Sequence, residues 1–159
     1  MKLFCFILFT LLLTAFSTNA QYRKMGGVNL ASAEHGPQPE SGIPALKRIN
    51  ANWIALTPFA YMDSKTDTKI HYRTPRNWWA DVPENMESVV ADARKYGYKL
   101  MLKPHFWVEG SGWAGTLTYD EEGWAEWEKN YTEFILELAV FAQTHEFEMF
   151  CFATELKSA

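Results

Sequence analysis

The strongest constraint on this chain is an alternation of apolar runs with amphipathic stretches, repeated three and a half times. Residues 53–59 (WIALTPF) are apolar until the end, as a strand buried on both faces should be. Residues 25–30 (MGGVNL), 99–106 (KLMLKPHF) and 147–154 (FEMFCFAT) read as three more strands. Helical signals lie between them. Leu46 and Ile49 share one face of a short segment, 43–50. Pro83 suits the first turn of a second helix, Met86, Val89, Val90 and Ala93 follow at helical spacing, and Gly97 sits just past its end. Asp120 is a good N-cap for the longest helix. Its stripe is Trp124, Trp127, Tyr131, Phe134, Ile135, Leu138 and Phe141. Residues 31–41, 60–81 and 107–119 read as loops.

The order β-α-β-α-β-α-β points to an α/β fold with a parallel sheet. An open doubly wound sheet and part of a (β/α)₈ barrel both fit. No G-x-G-x-x-G follows the first strand, so a dinucleotide-binding sheet has no support. Leu56-Thr57-Pro58-Phe59 and Leu102-Lys103-Pro104-His105 share a Leu-x-Pro-x ending. Alternation would turn Leu56, Pro58, Leu102 and Pro104 toward the helices, and Thr57, Phe59, Lys103 and His105 toward the interior. An interior lysine is tolerable near the mouth of a barrel, where a carboxylate can pair with it. This favours the barrel.

Residues 1–20 have a positive start at Lys2, an apolar run over 3–16 and small residues at 18–20. That is the pattern of a secretory signal peptide. The run is shorter than the ~20 residues a spanning helix needs. The expected product is therefore secreted or periplasmic, spans residues 21–159, and keeps no stable membrane anchor after cleavage. Cys151 would be its single cysteine, so no internal disulfide could form. A formal charge of −4 argues against nucleic acid as a partner.

In parallel α/β folds reactive groups gather at the carboxyl ends of the strands. Here those ends supply Asn29, Phe59, His105, Glu109 and Glu155. Glu155 continues the face that carries Met149, Cys151 and Ala153, so burial should raise its pKa, as a general acid near neutral pH requires. Trp78, Trp79, Trp107 and Trp113 fall in loops that leave strands, where flat indole faces suit the C–H side of pyranose rings. Packing on neighbouring helices would explain two of them equally well. His105 could bond a sugar hydroxyl, a catalytic carboxylate or its own scaffold. The four histidines and two cysteines show no H-x-H, H-E-x-x-H or paired-cysteine spacing, so neither a metal nor another cofactor is expected. Cys151 has no basic partner in view for nucleophilic chemistry.

Leu102-Lys103-Pro104-His105, Gly112-Trp113-Ala114-Gly115, the Trp124/Trp127/Tyr131 helix and Ala153-Thr154-Glu155-Leu156, in that order, resemble glycoside hydrolase family 113. Asn52 to Phe59 resembles its second strand. The resemblance implies a retaining (β/α)₈ enzyme acting on β-linked polysaccharide such as β-mannan. It implies Glu155 as acid/base, with His105 and Trp113 lining the sugar cleft; Trp107 and Lys103 are further expected substrate-binding residues. It also implies a nucleophile on the seventh strand, whereas only four strands are legible here and a full barrel takes ~250 residues. The chain is therefore expected to be the amino-terminal half of a barrel, about four strands and three helices, and inactive alone. A non-catalytic carbohydrate-binding half-barrel is the alternative. Open edges at the first and fourth strands should promote self-association.

Overall fold

The computed structural model describes residues 24–31, 42–110 and 112–157. The expected signal segment, 1–20, and the loop after Ala31 lie outside them.

Strands β1 (Gly27–Ala31), β2 (Trp53–Thr57), β4 (Lys99–Leu102) and β6 (Met149–Phe150) form one four-stranded sheet, in that order. All its pairs are parallel, with Gly27 beside Trp53, Trp53 beside Lys99 and Met101 beside Met149. Strands β3 (Phe59–Met62) and β5 (His105–Val108) pair in parallel as a second sheet. The strand order follows the chain without turning back. That is the winding of a barrel; a doubly wound sheet reverses at a switch point.

The sequence reading drew residues 53–59 and 99–106 as two continuous strands. Each is divided at its proline, Pro58 or Pro104, which has no N–H to give to the ladder. Hydrogen bonding resumes at once, from Lys103 N to Leu56 O (2.8 Å) and from His105 N to Pro58 O (2.9 Å). Strand β3 thereby claims residues 60–62, read as loop, and β5 claims Trp107 and Val108. The fourth barrel strand is shorter than expected, although Cys151 N still donates to Leu102 O at 2.9 Å.

Helix α1 (Gly42–Ala45) runs into a 3₁₀ turn (Leu46–Ile49), α2 spans Pro83–Lys95 and α3 spans Glu121–Thr144. They cover one face of the sheet. Helix α2 opens on Pro83, buries Met86, Val89, Val90 and Ala93, and is followed by Gly97 at φ +71°, a conformation that favours glycine. Asp120 caps α3 by accepting from Gly123 N at 2.8 Å. The α3 stripe buries Trp127, Phe134, Leu138 and Phe141, with Trp127 stacked on Tyr131 and tilted against Phe106 of β5. Leu56, Pro58, Leu102 and Pro104 are all buried, as their expected direction requires. Opposite them Thr57 is buried, while Phe59, Lys103 and His105 are half-buried on the interior face.

Among the described residues, the outer edge of β3 is held by an antiparallel backbone bridge from Tyr61 to His71 and by side chains. A 3₁₀ turn (Trp79–Asp81) delivers Asp81, only 6% exposed. Its Oδ1 accepts from Phe59 N, and its Oδ2 from Trp78 N, both at 2.9 Å. Tyr61 reaches Oδ2 at 3.5 Å, and its phenol is pushed up to about 12 by burial and then by the Asp81 charge. Asn77 donates to Phe59 O at 2.7 Å, so both polar backbone groups of Phe59 are satisfied. Asp81→Ala would strand two part-buried N–H donors. It should lower the free energy of unfolding by about 2–3 kcal/mol in a urea titration, with Asp81→Asn costing less. An unchanged midpoint for Asp81→Ala would deny the clasp any net role.

Candidate active site

Glu155 stands just beyond β6 at φ +60°, in the left-handed region that non-glycine residues adopt only under surrounding constraint. Three contacts supply that constraint. Thr154 Oγ1 donates to Pro104 O at 3.0 Å, tying the turn to the end of the third barrel strand. Trp113 Nε1 donates to Glu155 Oε2 at 2.8 Å. Gly115 lets the indole lie down: a Cβ there would meet Trp113 Cζ2 at 2.6 Å and Glu155 O at 2.9 Å. The expectation of a buried glutamate does not survive, because Glu155 is exposed. The positive φ takes it off the strand alternation on which that expectation rested.

His105 opens β5, with its ring 5.5 Å from that of Phe59. Burial, and then the nearby Lys103 charge, hold His105 below the ordinary histidine value, while Glu155 pulls the other way. Lys103 is half-buried, and among the described residues no carboxylate pairs with it. The interior face thus brings His105, Lys103, Trp113 and Glu155 to one end of the sheet.

Trp107 lies apart from that group. It is 58% exposed and lines a cleft of about 660 Å³ together with Phe59, Tyr61, Trp78, Arg76 and Glu109. Alternation along β5 sets His105, Trp107 and Glu109 on one face, and pairing with β3 puts Phe59 beside His105 and Tyr61 beside Trp107. Arg76 Nη1 donates to Asp63 Oδ1 (2.6 Å) and to Glu109 Oε1 (3.3 Å), bridging the far wall. Sequence reasoning missed Asp81 and Arg76, both inside the segment 60–81, which reads as a loop and stands out only for Trp78 and Trp79. The one signal for Asp81 was its position two residues before Pro83, where an acid can brace a helix entry.

Loop spacing also concealed a cluster. Asp63, Asp67 and His71 bring one potential metal-ligand atom each within 4.8 Å of the others. His71 Nε2 is 3.5 Å from Asp63 Oδ2, while Arg76 already holds the other oxygen of Asp63. A cation there would compete with a guanidinium, which weighs against a metal centre.

The sequence profile of glycoside hydrolase family 113 matches residues 33–159. Among solved structures, a family 113 β-mannanase from Alicyclobacillus acidocaldarius in complex with ManMIm is 22% identical with a TM-score of 0.74, over 85% of this chain and 46% of that one. A family 113 β-1,4-mannanase complex is 18% identical with a TM-score of 0.74, over 85% of this chain and 47% of the other. The chain thus spans about half the length of these proteins and shares the fold of that half. A search of curated protein sequences gives no match.

Two outcomes follow from this geometry. Gly115→Ala should push the Trp113 indole off Glu155, shift tryptophan emission, and cost about 1–3 kcal/mol of stability as overpacking does; an unshifted spectrum would contradict the cradle. His105 has a lower proton affinity folded than unfolded, so the unfolded chain takes up its proton first. Its contribution to stability is present above about 6.5, the ordinary histidine value, and is lost as pH falls through the folded value. The difference between wild type and His105→Gln in melting temperature should therefore change below pH 6.5 and stay flat above it.

Proposed function

Because the chain belongs to glycoside hydrolase family 113, matched over residues 33–159, we propose that it carries the acid/base half of a retaining glycosidase acting on β-linked polysaccharide, β-mannan first. The observation that carries this reading is the Trp113–Glu155 bond at 2.8 Å. It fixes Oε2 of a carboxylate at the mouth of the fourth barrel strand and leaves Oε1 without a protein partner among the described residues. In this mechanism Oε1 gives its proton to the departing glycosidic oxygen while a second carboxylate attacks the sugar from the opposite face. Glu155 then takes a proton from the water that releases the glycosyl group.

We assign the nucleophile to a part of the barrel beyond these four strands. Glu109, just past the end of β5, is a second carboxylate near this face, and its pairing with Arg76 argues against it as the attacking group. The neutral His105 is suited to hydrogen-bond a sugar hydroxyl, as the exposed Trp113 face is to pack on a ring. In the same reading residues 1–20 direct export, and the open edges at β1 and β6, beside the exposed Phe152, favour self-association of this chain alone.

The test is Glu155→Gln in a protein that carries the whole barrel. Hydrolysis of mannan should fall about 10²–10⁴-fold with oligosaccharide binding retained. An aryl mannoside whose leaving group departs without protonation should suffer less. Wild-type turnover by the variant would remove Glu155 from the acid/base role. Sugar binding by the wild-type barrel with no hydrolysis of any β-linked polysaccharide would favour the non-catalytic reading.

A further inference from the structure

The amino ends of the strands, opposite the end that carries Glu155, gather positive charge. Lys99 opens β4, and Lys24 stands just before β1. Lys47 and Arg48 lie in the 3₁₀ turn that leads toward β2, and Lys95 ends α2. Contacts join these residues into one patch. Lys47 Nζ lies 4.1 Å from the centre of the Tyr98 ring, and the neighbouring Lys99 places its Nζ 5.5 Å from that of Trp53. Trp53 sits beside Lys99 in the sheet, while Asn52 Nδ2 donates to Lys24 O at 3.0 Å. Lys95 Nζ lies 5.5 Å from the centre of the Tyr96 ring. All these cations are exposed, and among the described residues none pairs with a carboxylate. Glu148, the nearby acid on β6's approach, is already held by Arg94 at 2.8 Å.

We propose that this end of the molecule docks reversibly on an anionic phospholipid surface, with the lysines and Arg48 against lipid phosphates and Ile49 and Met25 among the headgroups. Three features carry it. Ile49 is 64% exposed beside Arg48, and Met25 is 45% exposed beside Lys24. Apolar side chains set among cations gain from the headgroup boundary of a bilayer and gain nothing from a soluble polyanion. Trp53 and Tyr96, half-buried beneath lysines, are the amphipathic rings that suit that depth. The whole chain carries a formal charge of −4, so an anionic surface repels the remainder and draws only this end. The docked orientation turns Glu155 and His105 away from the lipid, toward the medium. It goes beyond the glycosidase reading and does not depend on it. On the export reading of residues 1–20, this is also the end closest to the membrane that the chain has crossed.

The experiment is co-sedimentation of the exported chain with vesicles of phosphatidylcholine alone and of phosphatidylcholine with equimolar phosphatidylglycerol. Wild type should bind the anionic vesicles, pass over the neutral ones, and bind less as salt rises. The double variant Lys47→Gln/Lys99→Gln should bind about tenfold more weakly. Lys47→Arg/Lys99→Arg should bind like wild type, showing that charge and not folding was lost. Lys65→Gln/Lys69→Gln, which removes equal charge beyond the carboxyl end of β3, should also leave binding unchanged. Ile49→Ser should weaken it severalfold. Equal binding to neutral vesicles, which an apolar leader or an open strand edge would produce, overturns the proposal. So does absence of binding to the anionic ones, or an equal loss from the Lys65/Lys69 pair. Displacement by a soluble oligouronate, with Ile49→Ser without effect, would assign the patch to an acidic polymer instead of a lipid surface.

Discussion

Two prolines at equivalent places in neighbouring strands set the shape on which the site depends. Pro58 and Pro104 interrupt β2 and β4 at the same height, where neither can donate to the ladder. Below the break, strands are sealed between sheet neighbours and helices, and Ile54, Leu56, Leu100 and Leu102 are all buried. Above it, β3 and β5 continue as a separate pair whose interior row is aromatic: Phe59 and Tyr61 beside His105 and Trp107. The register carries on unchanged past both prolines, from Leu56 beside Leu102 to Phe59 beside His105, so this aromatic row continues the interior face and floors the open cleft.

On the outer side of β3 the described residues supply only the Tyr61–His71 bridge, which leaves the backbone groups of Phe59 to be satisfied otherwise. The loop between β3 and α2 does this with side chains, Asp81 and Asn77 taking the N–H and C=O of Phe59. Burying the Asp81 charge is tolerable because N–H dipoles from two residues and the Tyr61 hydroxyl surround it. The long segment read as loop is thus a structural brace, and the same carboxylate that completes the sheet edge also orients the Trp78 wall.

At the other end of the face, Glu155 achieves its position by local constraint instead of burial. Its left-handed backbone is held by the Thr154–Pro104 bond and by the indole of Trp113, which itself depends on the missing side chain of Gly115. Trp113, expected as a sugar platform, gives its N–H to the carboxylate. Its ring remains 47% exposed, so one residue can both hold Glu155 and present a face to ligand.

The architecture was legible from local signals because burial, capping and turn preferences act over a few residues. The apolar run 53–59, Pro83 with Gly97, and the Asp120 cap each named its element, and the shared Leu-x-Pro-x ending already separated helix-facing from interior side chains. The membership in family 113 rests on the profile match over residues 33–159. What no local pattern could determine was which distant groups meet. Arg76 finds Asp63 and Glu109 across three elements, Asp81 reaches back over 22 residues to Phe59, and Trp113 reaches 42 residues forward to Glu155. Exposure of Glu155 was likewise decided by a backbone angle that alternation does not encode. Sequence alone determined the order of strands and helices and which side chains around Pro58 and Pro104 are buried toward the helices. Tertiary structure decided the pairings across that face, because hydrogen bonds and ion pairs depend on separation in space, and that separation is set only when the parallel strands align.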